Sequence, residues 1–547
     1  MSFVSKICDH LEEIVTMLEF HEENKFKVSA YKNAVLALSK DYAHSDELIN
    51  TDSIGQLKGI GKGIEAVIYE VRDNGTSTML ADLKKDIPET FFELFKIRGL
   101  GPKKLSALYK EYNIVSMYQL KKSCENGSLS SYKGFGQAMQ TKILEQIQLI
   151  ERSSKFVRFN RASALAEIVR HSLEGMSSIR KQLISGELVR IREVIPKIEF
   201  VILINDREKT LEEISKVFKN VLNTEISFII NDYEIACELF IAVDEKDFSR
   251  IYFESVSGKE YLESINYSPT CFEKDDVSTF QRMKIQFVPV PQRETGYYHD
   301  KTLRVLESNL DAPMKGMLHF HTNWSDGVNS LEEMLLDGSA KGFDYFAVCD
   351  HSKSAFYAQG LSEQRVLDQK NEIEELRVIT RLNVLQGIES DILTDGSLDY
   401  AQEFLHNFDF IVASIHSQFS LSEDDMTKRI IKAVENPRTN VLGHPTGRLL
   451  LHREGYKLNM KKILDACAAN KTAIEINANP HRLDLDWRWI PYALDKGCLF
   501  AINADAHSVN DIDYVHYGKF IAMKGGLQQS EIINYFSFEE FKSFIKK

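Results

Sequence analysis

The chain has 547 residues, a formal net charge of −13, 43% hydrophobic and 27% charged residues, and 28 Gly with 11 Pro. Single cores stop growing at about 250–300 residues, so several domains are implied, and the composition excludes a collagenous or largely disordered chain. No apolar run approaches the roughly 18 residues of a membrane span, so no membrane partner is expected; the seven cysteines contain no CxxC and read as buried thiols.

The N-terminus, MSFVSKICDHLEEIVTMLEF, places Val4, Ile7, Leu11, Ile14, Val15 and Leu18 at helical spacing. It has acids where a signal peptide needs an apolar stretch, so a cytoplasmic protein is expected. Residues 1–150 read as helices joined by glycine turns. Within them LKGIGKGIEAVI (57–68), IRGLGPKKLSAL (97–108) and YKGFGQAMQTKI (132–143) repeat one pattern: an apolar lead-in, glycine–hydrophobic–glycine, then a helix. Gly59, Gly61, Gly63, Gly99, Gly101, Gly134 and Gly136 permit a tight turn whose backbone N–H groups meet an anion at the helix N-terminus. Lys62, Lys103 and Lys104 add charge, and residues 101–150 carry seven lysines against three glutamates, a local basic surface in an acidic protein. These hairpins resemble helix-hairpin-helix motifs, which grip the DNA backbone without reading bases.

Residues 151–300 mix helices with strands such as IEFVILI (198–204) and ISFIIND (226–232), and 301–315 reads as a linker. From residue 317, short apolar runs alternate with amphipathic helices such as SLEEMLLDGSAKG (330–342), the pattern of a parallel α/β sheet or barrel. His319 and His321 form an HxH pair whose spacing turns both imidazoles to one face of a strand, and Asp326 follows. His351 ends FAVCDH, Glu389 ends VLQGIE, His416 ends FIVASIH, His444 ends NVLGH, and Asp505 and His507 end FAINADAH. In barrel enzymes the active site gathers at the C-terminal ends of the strands. Six His, two Asp and one Glu exceed the four ligands of one tetrahedral zinc. Two or three divalent ions sharing a carboxylate are therefore expected, and imidazole with carboxylate suits Zn, Mn or Fe. Clustered metals activate water and clamp the oxygens of a phosphoester, so phosphoester hydrolysis is the expected chemistry. His406, His452 and His516 lack this setting and read as surface or packing residues.

HFHTNWSDG, CDHS, GIESDI, SIHSQF, GHPTGRLLL, EINANPHRLDLDWRW and NADAHS resemble the polymerase and histidinol phosphatase (PHP) domain. More closely, they resemble the version fused to bacterial and archaeal family X DNA polymerases. The resemblance implies a multidomain α+β and α/β chain. A helical helix-hairpin-helix domain would span 1–85 and a fingers-like helix-hairpin-helix domain 86–150. A palm-like nucleotidyltransferase domain would span 151–245 and a thumb-like domain 246–300, with a distorted (β/α)7 PHP barrel over 316–547. The resemblance also implies three ions. His319, His321, Glu389 and Asp505 would hold one, Glu389, His416 and His444 a second, and Asp326, His351 and His507 a third. Met317 stands where many PHP domains have an acidic residue. Arg448 and Arg482, beside the site motifs, are the candidate catalytic contacts to phosphate.

The polymerase half departs from the family at its chemistry. The family palm carries G-S-x-R-R and then G-D-x-D. In SGELVRIREVIPKIEFVI (185–202), Glu187 replaces the serine, Val189 and Arg190 stand for the arginines, and Pro196, Lys197, Ile198 and Glu199 stand for G-D-x-D. Glu238, in ACELFI, aligns with the third palm aspartate. Lys197 puts an ammonium where a divalent cation belongs, and Glu187 puts a carboxylate where nucleotide phosphates would lie. The polymerase centre is therefore read as degenerate and without Mg. YFESVSGK (252–259) lacks the family's F-T-G-S nucleotide contact, and Val67 aligns with the Schiff-base lysine of relatives that cleave abasic sugars, with Lys62 nearby.

The expected function is a DNA-binding, metal-dependent phosphoesterase of DNA repair: a 3′–5′ exonuclease, or a 3′-phosphatase or abasic-site endonuclease. It would act as a monomer on gapped, nicked or 3′-ended DNA, chosen by structure rather than sequence. The alternatives are an active gap-filling family X polymerase with a PHP exonuclease, a small-molecule phosphatase of the histidinol-phosphate type, and a DNA-binding scaffold without catalysis.

Overall fold

The computed structural model describes residues 3–39, 42–295 and 310–546. The chain forms two compact units, Met1–Arg152 and Ser153–Lys547. Of the expected linker, residues 301–309 lie outside the described residues, while Leu310 and Met314 are buried.

The first unit is helical. Its opening helix, Phe3–Phe20, buries Val4, Ile7, Leu11, Ile14 and Leu18, the stripe its periodicity predicts. The three glycine repeats form one recurring turn. Gly59, Gly99 and Gly134 adopt φ of 108°, 89° and 88°, a left-handed conformation that a side chain would strain. The buried Ile60, Leu100 and Phe135 that follow each donate their N–H to the carbonyl three residues back, at 3.0, 3.2 and 3.0 Å. Helices Lys62–Asn74, Pro102–Lys110 and Gln137–Ser153 start immediately afterwards. Gly61 and Gly101 cap the first two with no side-chain bond to the exposed N–H groups. A Cβ at Gly61, Gly63, Gly101 or Gly136 would meet nothing within 4 Å, so these turns present open backbone.

The second unit starts with β1 (Val157–Arg158), β2 (Ile179–Ser185), β3 (Val194–Ile195), β4 (Lys197–Ile204), β5 (Val221–Asn223), β6 (Ser227–Ile230) and β7 (Ala236–Ala242). β1 pairs with β3, and the rest form a mixed sheet in the order β2-β4-β7-β6-β5, with β4 and β7 parallel at its centre. β4 is wholly buried at Ile198 and from Phe200 to Leu203, as a central strand covered on both faces must be.

Seven further strands follow: β8 (Gly316–Met317), β9 (Tyr345–Val348), β10 (Asn383–Asp391), β11 (Phe410–Ser414), β12 (Val441–Leu442), β13 (Ala473–Asn477) and β14 (Phe500–Asn503). All pair parallel in sequential order. A bridge between Phe320 and Ala506, with the His321 N–H on the Ala506 carbonyl at 2.8 Å, joins the first run to the last and closes the barrel. The helix predicted around residues 330–342 spans Leu331–Ala340, and Ser330 and Glu333 form its capping box.

The barrel is fastened to the strands before it. Lys524, wholly buried on helix Val515–Gly525, donates to the carbonyls of Arg190 and Pro291 at 2.5 and 2.9 Å and lies 3.4 Å from Glu294. All seven cysteines are free thiols and six are buried. Among the described residues no helix is long and apolar enough to cross a membrane.

Candidate metal centre

Strand ends bring the expected ligands to one place. His351 follows the end of β9 by three residues; His416, His444 and Asp505 follow β11, β12 and β14 by two; Glu389 lies within the longer β10. Three groups have donor atoms all within 4.8 Å of one another: His319, His321, Glu389 and Asp505; His321, Asp326, His351 and His507; and His351, Glu389 and His416. His444 adjoins the last group, its Nε2 3.1 Å from Glu389 Oε1 and 3.3 Å from His416 Nε2. The structure thus gathers all nine residues, and His321 and His351 each face a second group beyond the one the resemblance implies. Glu389 is central, 3.5 Å from His319 Nε2, 3.3 Å from His416 Nε2 and 3.0 Å from His351 Nδ1. His319, His321, Glu389 and His444 are almost fully buried, whereas the Asp326 and His507 side chains are about one-third exposed (32% and 34%) and mark the mouth.

Two buried carboxylates that the sequence reading missed orient the ring. Glu475 on β13 bonds His319 Nδ1 at 2.6 Å and also accepts from the His444 backbone N–H at 2.6 Å and from Asn503 at 2.9 Å. Asp391 at the end of β10 bonds His416 Nδ1 at 2.5 Å. Both bonds turn Nε2 of their imidazole toward the cluster, as outer carboxylates do around metal-binding histidines. The signal was an acid inside an apolar run, in AIEIN and GIESD.

His319 Nε2, His321 Nδ1 and Glu389 Oε2 are buried without a hydrogen-bond partner. Buried polar atoms are rarely left so, and a donor set made only of imidazole nitrogen and carboxylate oxygen fits divalent cations. Burial works against charge on Glu389, yet His416, His319 and His351 hold it well below the usual carboxylate range. His321 moves the other way: burial and the neighbouring His507 and His351 push it down to about 3, so it keeps a neutral imidazole.

The two arginines differ. Arg482 Nε lies 3.8 Å from Asp505 Oδ2, at the edge of the cluster. Arg448, expected as a phosphate contact, is instead held in a structural network. Its Nη1 donates to Asp486 at 2.7 Å, its Nε to the Arg482 carbonyl at 3.0 Å and its Nη2 to the Leu483 carbonyl, with Glu193 3.7 Å away.

A helix-hairpin-helix domain family matches residues 4–77 and the PHP domain family matches residues 317–479. The chain is 31% identical over 562 residues to the DNA polymerase/3′-5′ exonuclease PolX of Bacillus subtilis (strain 168), covering 98% of each. The chain belongs to the PolX family. A probable phosphatase of Caldicellulosiruptor bescii is 28% identical to this PolX chain over 243 residues, 42% of this chain and 94% of that protein. The crystal structure of histidinol phosphate phosphatase from Lactococcus lactis, complexed with zinc, L-histidinol and phosphate, covers 39% of this chain and 95% of its own at 17% identity and a TM-score of 0.30. With its PHP domain this PolX chain is a metal-dependent hydrolase, and its helix-hairpin-helix domain makes it a DNA-binding protein.

The five-stranded sheet of this PolX chain holds a different arrangement. Glu199 on β4 and Glu238 on β7 are direct partners in the parallel register. Lys197 Nζ lies 2.7 Å from Glu199 Oε1 and 2.7 Å from Glu238 Oε2, an ammonium joining both carboxylates. Partial burial works against that charge, and the two glutamates raise the lysine's pKa in spite of it. Glu187 stands 3.8 Å from Arg192 and 4.0 Å from Arg190, while Arg190 is buried on Glu294 at 2.8 Å and the Ser255 carbonyl at 2.7 Å. Val67 is buried in its helix and Lys62 is exposed.

Proposed function

We propose that this PolX chain is a 3′–5′ exonuclease of DNA repair whose polymerase centre is inactive. The observation that carries the reading is the contrast between its two acidic sites. At the barrel mouth nine imidazole and carboxylate groups converge, and His319, His321 and Glu389 keep buried atoms without a hydrogen-bond partner, whereas in the sheet an ammonium already fills the carboxylate pair. Two or three divalent cations, Zn, Mn or Fe, would be held by His319, His321, Glu389 and Asp505, by Glu389, His416 and His444, and by Asp326, His351 and His507. When bound they supply the Lewis-acid charge for phosphoester hydrolysis.

The chain's own residues do the remaining work. Glu475 and Asp391 hold His319 and His416 with Nε2 inward. Arg482, beside Asp505, orients the phosphate with its guanidinium. The hairpins hold the backbone of gapped, nicked or 3′-ended DNA through open N–H groups and Lys62, Lys103 and Lys104. Removal of a 3′-phosphate or incision at an abasic site would use the same cluster. In the sheet, Lys197 repels a divalent cation and supplies no oxygen ligand.

The test is a 5′-labelled primer on a gapped template with Mn2+, with and without nucleotide triphosphates. The primer should shorten in both cases. His321→Ala should slow shortening by at least about 100-fold, since even outer partners of metal ligands cost 10–100-fold, while DNA binding persists. Lengthening that needs nucleotides and is lost on changing Lys197 would instead establish an active polymerase. The likeness to the probable phosphatase supports one other reading, a small-molecule phosphatase; turnover of a phosphomonoester with no cleavage of DNA would establish it.

A further inference from the structure

Two adjacent aromatic rings stand in solvent beside the cluster. Phe356 is 86% exposed and Tyr357 is 71% exposed, on a short turn, Phe356–Ala358, that begins five residues after His351. Adjacent large rings left in water are costly and mark binding surfaces more often than chance. These two do not result from a loose loop. The flanking Ala355 and Ala358 are buried. The Leu361 N–H bonds the His351 carbonyl at 2.8 Å, and the Gly360 N–H bonds the Ala355 carbonyl at 3.0 Å. A Cβ on Gly360 would come within 1.9 Å of the Ser352 carbonyl oxygen, so only glycine closes the turn this tightly. Ser354 anchors the other side, its N–H on Asp399 at 2.6 Å and its hydroxyl on Asp391 at 2.8 Å, the same Asp391 that orients His416. The turn is therefore rooted in the cluster and holds both rings outward. The Tyr357 ring centre lies 6.2 Å from that of His351.

We infer that Phe356 and Tyr357 form a stacking subsite for the nucleobase at the 3′ end of the strand whose phosphate is hydrolysed. This rests on the phosphodiesterase reading above. A base is joined to its phosphate through one sugar, which is the span separating the Tyr357 ring from the cluster. Every base has a flat π-face, so stacking gives affinity without sequence preference. Such a subsite also distinguishes a nucleotide end from a small phosphate ester that carries no base.

The experiment uses the full chain with Mn2+ and single-stranded oligonucleotides that end either in ordinary nucleotides or in two abasic tetrahydrofuran units. Phe356→Ser with Tyr357→Ser should lower kcat/KM on the base-bearing end by about tenfold or more, mainly through KM, and leave the abasic end within about twofold of wild type. Phe356→Tyr with Tyr357→Phe keeps both rings and should behave as wild type. Equal losses on the two ends, or no loss on the base-bearing end, would overturn the subsite while leaving the nuclease intact. If the wild-type chain cleaves neither end, the phosphodiesterase reading fails and the subsite with it.

Discussion

Burial works against charge on His416 and His507, yet Glu389 and Asp391 raise the first to about 10, and Asp326 and Asp505 raise the second to about 9. Both imidazoles are therefore protonated at pH 7 when no cation is present. A metal ligand must offer a lone pair, so cation binding has to expel these protons. The sign follows: release is full below about pH 9 and fades as pH rises past 10. Burial likewise works against charge on His319, yet Glu475, Asp505 and Glu389 hold it well above the usual imidazole value, so calorimetric titration of the metal-free protein with Mn2+, in buffers of different ionisation heat, should show about three protons released at pH 7 and fewer at pH 10. Release that does not change with pH would contradict the assignment. Most of the nine candidate residues were legible in the sequence because they stand at the end of an apolar run, where little but function calls for a histidine. Glu475 and Asp391 were less so, because their partners His319 and His416 come from other strands and are brought to them only by the barrel. The partners of Arg448 were hidden for the same reason: a guanidinium beside a site motif looks the same in sequence whether it faces phosphate or Asp486.

At the scale of elements, the segment between β13 and β14 is shaped from outside the barrel. Glu193, just before β3 and buried, accepts from Arg488 at 3.0 Å and lies 3.7 Å from Arg448. Arg448 in turn holds the carbonyls of Arg482 and Leu483. The carboxylate thus steadies, through Arg448, the turn that carries Arg482 to Asp505. Glu193→Gln should lower kcat/KM for phosphodiester hydrolysis by about tenfold, the low end of the 10–100-fold cost of outer partners, and leave DNA affinity unchanged. An unaltered rate would remove Glu193 from the positioning chain. The barrel strands and the three glycine turns were readable because period and turn chemistry are local. β2, whose exposed residues Arg180, Lys181 and Leu183 break the alternation, and β8, only two residues long, carry too little pattern to be read alone.

At the scale of the whole molecule, the chain joins a net charge of −13 to a basic stretch at residues 101–150. If the hairpins supply the grip on DNA, Lys62→Glu with Lys103→Glu and Lys104→Glu should weaken DNA binding about tenfold or more and flatten its dependence on salt. Hydrolysis of bis(p-nitrophenyl) phosphate, which needs no such grip, should stay at the wild-type rate. Equal loss of both activities would mean that the charge changes had damaged the fold.

Lys524 bears on how the barrel depends on the strands before it. Burying an ammonium is costly, and the carbonyls of Arg190 and Pro291 and the carboxylate of Glu294 offset that cost for Lys524, which has no solvent access. Deleting the upstream residues would strip away all three at once. Their removal would also open the Lys524 site to water, so a barrel face that is now dry would become solvent-facing. The strands before the barrel thus serve it as a packing surface, whatever chemistry they carry themselves.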